Sequence, residues 1–292
     1  MEFYLWIVLG SSFVYTLAAL CVKRSSIAGV DPWKTTVVWN GLLALVSLPC
    51  WFVADPPGDL RSLIIPLLMS FAFFLGQLLN VLAIQKGDVS LVTPILGTKI
   101  VFVGVLAIVF LDDEIGILVW TGALLAVLGI FLMRGNTHNE RKRLLPSIIL
   151  GLVSALSYGA FDVAMQKFGS DAGYAQTVSR TFLFTFLWSL LLIPKWKPSE
   201  QGIDMNTWYW LLGGGVLQAG QAMAFVYVLT TYGDATRVNV LYSSRAFWSI
   251  LLVWVIGHWF SNIERHLGKA VFSRRLAGSS LLVVAIILAT WK

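Results

Sequence analysis

Charge is scarce in this chain, and acid is scarcest where the sequence is most apolar. Only 12% of the 292 residues are charged against 58% hydrophobic, with a mean hydropathy of +0.79. Water-soluble domains carry about a quarter charged residues, so a soluble globule is excluded. Of the 15 acids, only Asp162 lies well inside a long apolar run. The two cysteines, Cys21 and Cys50, sit in apolar runs and read as packing residues, which excludes a disulfide scaffold. His138, His258 and His266 form no cluster with metal-ligand spacing, and there is no glycine-rich phosphate loop or nucleophile elbow. No enzyme activity, cofactor or metal is expected.

What the sequence does hold is apolar length. A membrane-spanning helix takes about 20 apolar residues, and such runs occupy 3–22, 33–53, 62–85, 89–111, 115–133, 146–168, 172–193, 206–231, 235–257 and 274–291. The first has no basic segment before it and no small-residue cleavage site before Lys23, so it reads as a retained helix. The expected fold class is an all-α polytopic membrane protein with ten transmembrane helices.

The formal charge of +6 invites a nucleic-acid reading, but its placement argues for topology. Loops after odd-numbered runs hold fourteen cations, among them Lys23, Arg24, Arg141, Lys142, Arg143, Lys195, Lys269, Arg274 and Arg275, as well as Arg134, Lys197 and Arg265. The opposite loops hold Arg61, Lys167 and Lys292. The positive-inside rule then puts the odd loops in the cytoplasm and both termini outside, and the short loops suggest a multi-pass protein of a bacterial inner membrane. No nucleic-acid partner is implied, and a homodimer is left open.

The chain repeats itself. "QKGDVSLVTPILGTKIVF" at 85–102 aligns without gaps on "TYGDATRVNVLYSSRAFW" at 231–248, setting Gly87-Asp88 on Gly233-Asp234 and Lys99 on Arg245. This divides the chain into five-helix units, 1–134 and 146–292, around a basic linker at 135–145. An odd number of crossings inverts the second unit relative to the first. Inverted repeats are typical of secondary transporters, with the site near the midplane where the repeats meet.

Four cations fall inside the apolar runs: Lys99, Arg180, Arg237 and Arg245. A charge at a helix centre costs about 2.5–3.5 kcal/mol on the insertion scale, so each needs a watery cavity or a partner. Lys99 and Arg245 would approach one midplane from opposite leaflets, as anchors for one anion. Asp162 and Arg180 read as a buried ion pair, and Arg237 as an interfacial charge. Asn239, Tyr242, Arg245 and Ser249 recur at helical spacing with Trp248 beside them, and Gln77, Asn80, Gln218 and Gln221 add amides. These amides line a polar cavity or serve as interhelical glue. Tyr15 and Tyr158 are weaker candidates. The substrate-binding set is therefore Lys99, Arg245, Tyr242, Asn239, Gln77, Asn80, Gln221 and Trp248.

The segment 83–133, with its small-residue turn at "QKGD", the proline-bearing "SLVTPILGTK", the acidic turn "LDDE" and the glycine-bearing last helix, resembles the end of an EamA repeat. The second half repeats it more loosely through 224–290, with "YSSRAFW" in place of the proline-bearing segment. The chain is thus similar to the drug/metabolite transporter superfamily. That resemblance implies ten helices in two inverted repeats, with helices 3, 4, 8 and 9 lining a central cavity. The small multidrug resistance branch uses a glutamate in its first helix, whereas Phe3 to Val22 contains no acid. The phosphate-translocator and nucleotide-sugar branches are similar in keeping basic residues in the late helices of each half. The expected function is secondary transport of a small polar metabolite, anionic rather than cationic, by export or exchange. The alternatives are a neutral-metabolite or amino-acid exporter and a non-transporting receptor or assembly protein.

Overall fold

The computed structural model describes residues 3–56, 58–87, 89–111, 116–133, 138–196, 204–233, 235–260 and 269–290. Asp88, Asp234, Arg134, Lys197, Arg265 and Lys292 lie outside the described residues. Described residues are helical or connect helices, with no strand among them. The first five runs give α1 (Phe3–Ile27), α2 (Pro32–Val53), α3 (Ile64–Lys86), α4 (Val89–Gly97), α5 (Lys99–Leu111) and α6 (Ile117–Met133). There follow α7 (His138–Ala164), a π-helical turn (Met165–Gly169), α8 (Ser170–Ala172), α9 (Tyr174–Leu190), α10 (Met205–Tyr232), α11 (Ala235–Tyr242), α12 (Arg245–Ile256) and α13 (Lys269–Thr290). Among the described residues, seven segments are long and apolar enough to cross a membrane, and Ile95–Leu111 is a shorter apolar one. The linker expected over 135–145 is helical from His138 onward, as the first turns of α7; 135–137 lie outside the described residues.

Local chemistry sets the helix ends. Asp31 caps α2, its side chain accepting from Trp33 N at 2.8 Å, and Pro32 at the first position has no amide to leave unpaired. Gly29 turns the preceding chain at φ 86°, a conformation costly for any residue with a Cβ. Asp204 caps α10 by accepting from Thr207 N at 3.1 Å. Carbonyls left free at helix C-termini meet cations: Lys23 Nζ donates to the Gly87 carbonyl after α3, and Lys167 Nζ to Phe110 O in α5 at 2.6 Å.

Two apolar runs expected as single helices are broken. Between α4 and α5 the chain tightens around Thr98, whose Oγ1 donates to Ile95 O at 2.6 Å. Between α11 and α12 the break falls at Ser243 and Ser244, and Ser243 Oγ donates to Asn239 O at 2.9 Å. Hydroxyls that bond back onto the preceding turn bend helices, and Gly97 weakens the first of them further. Lys99 and Arg245 are each the first residue beyond their break.

The packing crosses the sequence. α1 lies against α10 and α3 against α7; α2 meets α9, and α6 meets α13. The broken helices run past each other, α4 beside α12 and α5 beside α11. Close approach at α10 needs glycine: a Cβ on Gly215 would lie 2.4 Å from Leu42 Cδ1 and 2.9 Å from Trp39 Cδ1, and one on Gly214 2.6 Å from Cys21 Cβ. Trp39 Nε1 donates to Leu211 O at 2.8 Å across the same seam. Gly213, two residues earlier, has nothing within 4 Å of its Cβ position. The polarity is that of a membrane protein: Asn40, Gln77, Gln218 and Gln221 are buried, while Leu48, Phe52, Leu68, Val109 and Trp254 are exposed.

Candidate functional site

The two helix breaks place their first residues against one small central cavity of about 30 Å³. Lys99 from α5 and Arg245 from α12 share its wall with Asp162 and Tyr158 of α7, Tyr15 of α1, Phe73 of α3, Tyr242 of α11, and Gln218, Gln221 and Phe225 of α10. Elements from both halves of the sequence thus build it.

Lys99 Nζ lies 2.6 Å from Asp162 Oδ2, and both side chains are almost fully buried. Asn239 Nδ2 donates to the same carboxylate oxygen at 2.7 Å and to Ala235 O at 2.9 Å. The ammonium also stands over three rings, 4.8 Å from the Phe225 centroid, 5.2 Å from Tyr242 and 5.9 Å from Tyr158. A desolvated cation is held well by such faces, each contributing about 0.5–2 kcal/mol.

Arg245, 2% exposed, is held differently. Its guanidinium carbon stacks 4.6 Å from the Tyr242 centroid and 5.0 Å from Tyr15, and Nη2 donates to Leu96 O at 2.7 Å. Leu96 is in the last turn of α4, where carbonyls have no helical partner. No carboxylate pairs with Arg245 among the described residues, and its Nε is buried without a partner there. Around it Tyr242 donates to Gln221 Oε1 at 2.7 Å, and Asn80 Nδ2 donates to Tyr15 OH at 2.8 Å. The Gln218 Oε1 and Tyr158 hydroxyl atoms are buried and lack a partner among the described residues.

Several expected placements change. Asp162 pairs with Lys99, in place of the expected pair with Arg180. Arg180 Nη2 donates instead to Asp55 O at 2.7 Å, and Gln176 Nε2 to Asp55 Oδ2 at 2.8 Å, beside a separate cavity of about 330 Å³. The reason is packing: Arg180 on α9 lies beside the chain after α2, while Asp162 on α7 faces α5 and α11. Trp248 leaves the cavity wall and packs edge-on against Phe13, ring centroids 5.3 Å apart. Gln77 is buried on α3 outside the cavity wall, its amide without a partner among the described residues. Asn80 and Asn239 act one layer out, on Tyr15 and Asp162. Lys99, Arg245, Tyr242 and Gln221 are together as expected. Phe73, Phe161 and Phe225 are wall residues that sequence reasoning missed; in an apolar run, a phenylalanine facing inward carries no signal that separates it from one facing lipid.

The arrangement offers a small aromatic chamber with one fixed cation, one ion pair and two glutamine amides. It can hold an anion by charge and hydrogen bonding, and it has no nucleophile paired with a base.

Residues 2–135 match the family model described as the EamA-like transporter family. That match bears out the EamA-type resemblance read from residues 83–133 and points to an integral, multi-pass membrane transporter of the drug/metabolite transporter superfamily. A solved crystal structure with 16% sequence identity shares the fold at a TM-score of 0.71, over 98% of this chain and 97% of that one. No curated protein matches the sequence.

Proposed function

We propose that the chain is a secondary transporter that moves a small organic anion by alternating access, with ten spans in two inverted repeats, 1–134 and 146–292. Counting α4 with α5 and α11 with α12 as single broken spans gives the ten. The pairings support the repeat. If α1, α2, α3 and α6 correspond to α7, α9, α10 and α13, then α1 on α10 mirrors α7 on α3, while α2 on α9 and α6 on α13 map onto themselves.

The single observation that carries the reading is the duplicated cation at the duplicated break. Lys99 and Arg245 each begin the half-helix beyond an interruption, and both reach one buried cavity. Broken spans that meet at a central site are a recurring device of secondary transporters. Arg245 would take the carboxylate or phosphate, Gln218 and Gln221 its remaining oxygens, and the rings its body. The cation-rich loops, placed inside, put both termini outside in a bacterial inner membrane. An inside-negative potential favours outward movement of an anion by about 2.3 kcal/mol per charge per 100 mV, which makes export or exchange the natural direction.

One observation favours a second reading. Arg245 already bonds Leu96 O and Lys99 already has Asp162, so the two cations also lock the broken helices together. In that case the substrate is a neutral metabolite or an amino acid. The test is a thermal-shift and counterflow screen of purified protein against organic anions, amino acids and sugars, beside Arg245→Gln. A ligand that binds only the folded protein raises its melting temperature. Anion-specific stabilisation and uptake that Arg245→Gln abolishes support anion transport; equal response to neutral solutes, unchanged in Arg245→Gln, overturns it. No solute accumulated in sealed vesicles would point to a receptor or assembly role.

A further inference from the structure

The charge carried by the central cavity can be counted from its wall. Its ionisable side chains are Lys99, Asp162, Arg245 and the phenols of Tyr15, Tyr158 and Tyr242. Phenols are neutral near pH 7. Lys99 and Asp162 touch at 2.6 Å and sum to zero whether their shared proton rests on nitrogen or on oxygen. An arginine keeps its charge throughout the range proteins meet, so Arg245 leaves the chamber at one positive charge.

The helix ends do not alter the count. At each break a C-terminus and an N-terminus meet, α4 with α5 and α11 with α12, and their opposite partial charges offset. The other two cations of the apolar runs are elsewhere: Arg180 is on Asp55 O, and Arg237 Nη1 lies 3.5 Å from Tyr4 OH on α1. Neither lines the chamber.

We propose that Asp162 is a counter-ion built into the site that fixes the transported anion at a single negative charge. The inference rests on the anion-transport reading above. A monoanion beside Arg245 brings the closed chamber to neutrality, whereas a dianion leaves one uncompensated negative charge in a low-dielectric interior, which is costly. Without Asp162 the same chamber would hold two positive charges and suit a dianion. Asp162 is thus a specificity residue that acts by cancelling Lys99, held in place by Asn239. Loaded with a monoanion the carrier is neutral when it reorients; empty, it carries one positive charge.

Matched two- to six-carbon mono- and dicarboxylates, such as butyrate and succinate, provide the test. Apparent affinities come from thermal shift and from counterflow in proteoliposomes at pH 7, where butyrate is a monoanion and succinate chiefly a dianion. The parent should prefer the monocarboxylate at least tenfold. Asp162→Asn should reverse that preference, Lys99→Met should lose both anions, and Lys99→Met/Asp162→Asn, back at one charge, should restore the parent order. Should Asp162→Asn fail to fold, the double variant against Lys99→Met still decides, because only the double variant keeps the charge at one. A parent that prefers the dicarboxylate, or a preference unmoved by these changes, overturns the charge assignment while leaving anion transport standing. If no carboxylate of either charge binds the parent, the anion reading fails and this inference with it.

Discussion

Asp162 Oδ2 is shared between Lys99 Nζ at 2.6 Å and Asn239 Nδ2 at 2.7 Å, so one carboxylate oxygen ties α5 to α11 across the centre of the fold. Removing one partner of a buried ion pair strands the other charge, while removing both can be nearly neutral. Lys99→Met should lower stability by about 3–5 kcal/mol, and Lys99→Met/Asp162→Asn should recover most of that loss. Denaturant unfolding in detergent measures both. Additive losses would mean that the contact contributes nothing as a pair.

Arg245→Lys keeps the charge and discards the shape. Lysine cannot stack its planar group between Tyr15 and Tyr242 or present a fork beyond its bond to Leu96 O. Anion affinity should fall about tenfold or more, a loss of ~1.4 kcal/mol, with the charge preference unchanged. An unaltered affinity in the thermal-shift titration would show that only the charge matters.

Neighbouring glycines on α10 should behave in opposite ways. Gly215→Ala drives a methyl into Leu42 and Trp39 and should cost about 1–3 kcal/mol by overpacking. Gly213→Ala meets nothing and should gain up to about 1 kcal/mol, the helix propensity of alanine over glycine. Melting temperatures of the two variants, measured side by side, check the contrast; equal effects would contradict the packing at this seam.

How much of this was visible in the sequence varies from residue to residue. The duplicated cations were legible because an ungapped alignment set Lys99 on Arg245, and both arrive at equivalent breaks. Asp162 was legible as the one acid deep in an apolar run, but its partner was not. Lys99 is 63 positions away on a helix whose facing depends on packing, and hydropathy reports depth without reporting neighbours. Trp248 shows another limit. Its spacing from Arg245 assumed a continuous helix with Tyr242 and Asn239, and the turn at Ser243 and Ser244 resets the phase, so the ring meets Phe13 instead. The signals for the breaks were present in Gly97-Thr98 and in the serine pair, yet an uninterrupted apolar run hides them.

Acid should reach the periphery of the fold through Asp204. The hydrogen bond it accepts from Thr207, aided by the distant charge of Arg24, holds its carboxyl below the ordinary carboxylate range. A carboxyl depressed on folding contributes stability above its unfolded value, near 3.9, and loses it as pH falls through the lower folded value. The melting difference between the parent and Asp204→Ala should therefore be constant from pH 7 to about 5 and shrink only below about 4. A difference that disappears already at pH 6 would assign the cap another origin.

The crossed packing bears on how the chain is made. α1 rests on α10 and α3 on α7, so α1 and α3 meet these partners only after the later helices α7 and α10 have been synthesised. Until then Lys99 has no Asp162 beside it and must wait in lipid, in the translocation machinery or against its neighbours. Domains usually fold in order of synthesis, and this topology defers completion to the arrival of α10 and α13. A ribosome stalled after α6 would leave an inserted fragment with its polar face open, a natural substrate for membrane quality-control proteases.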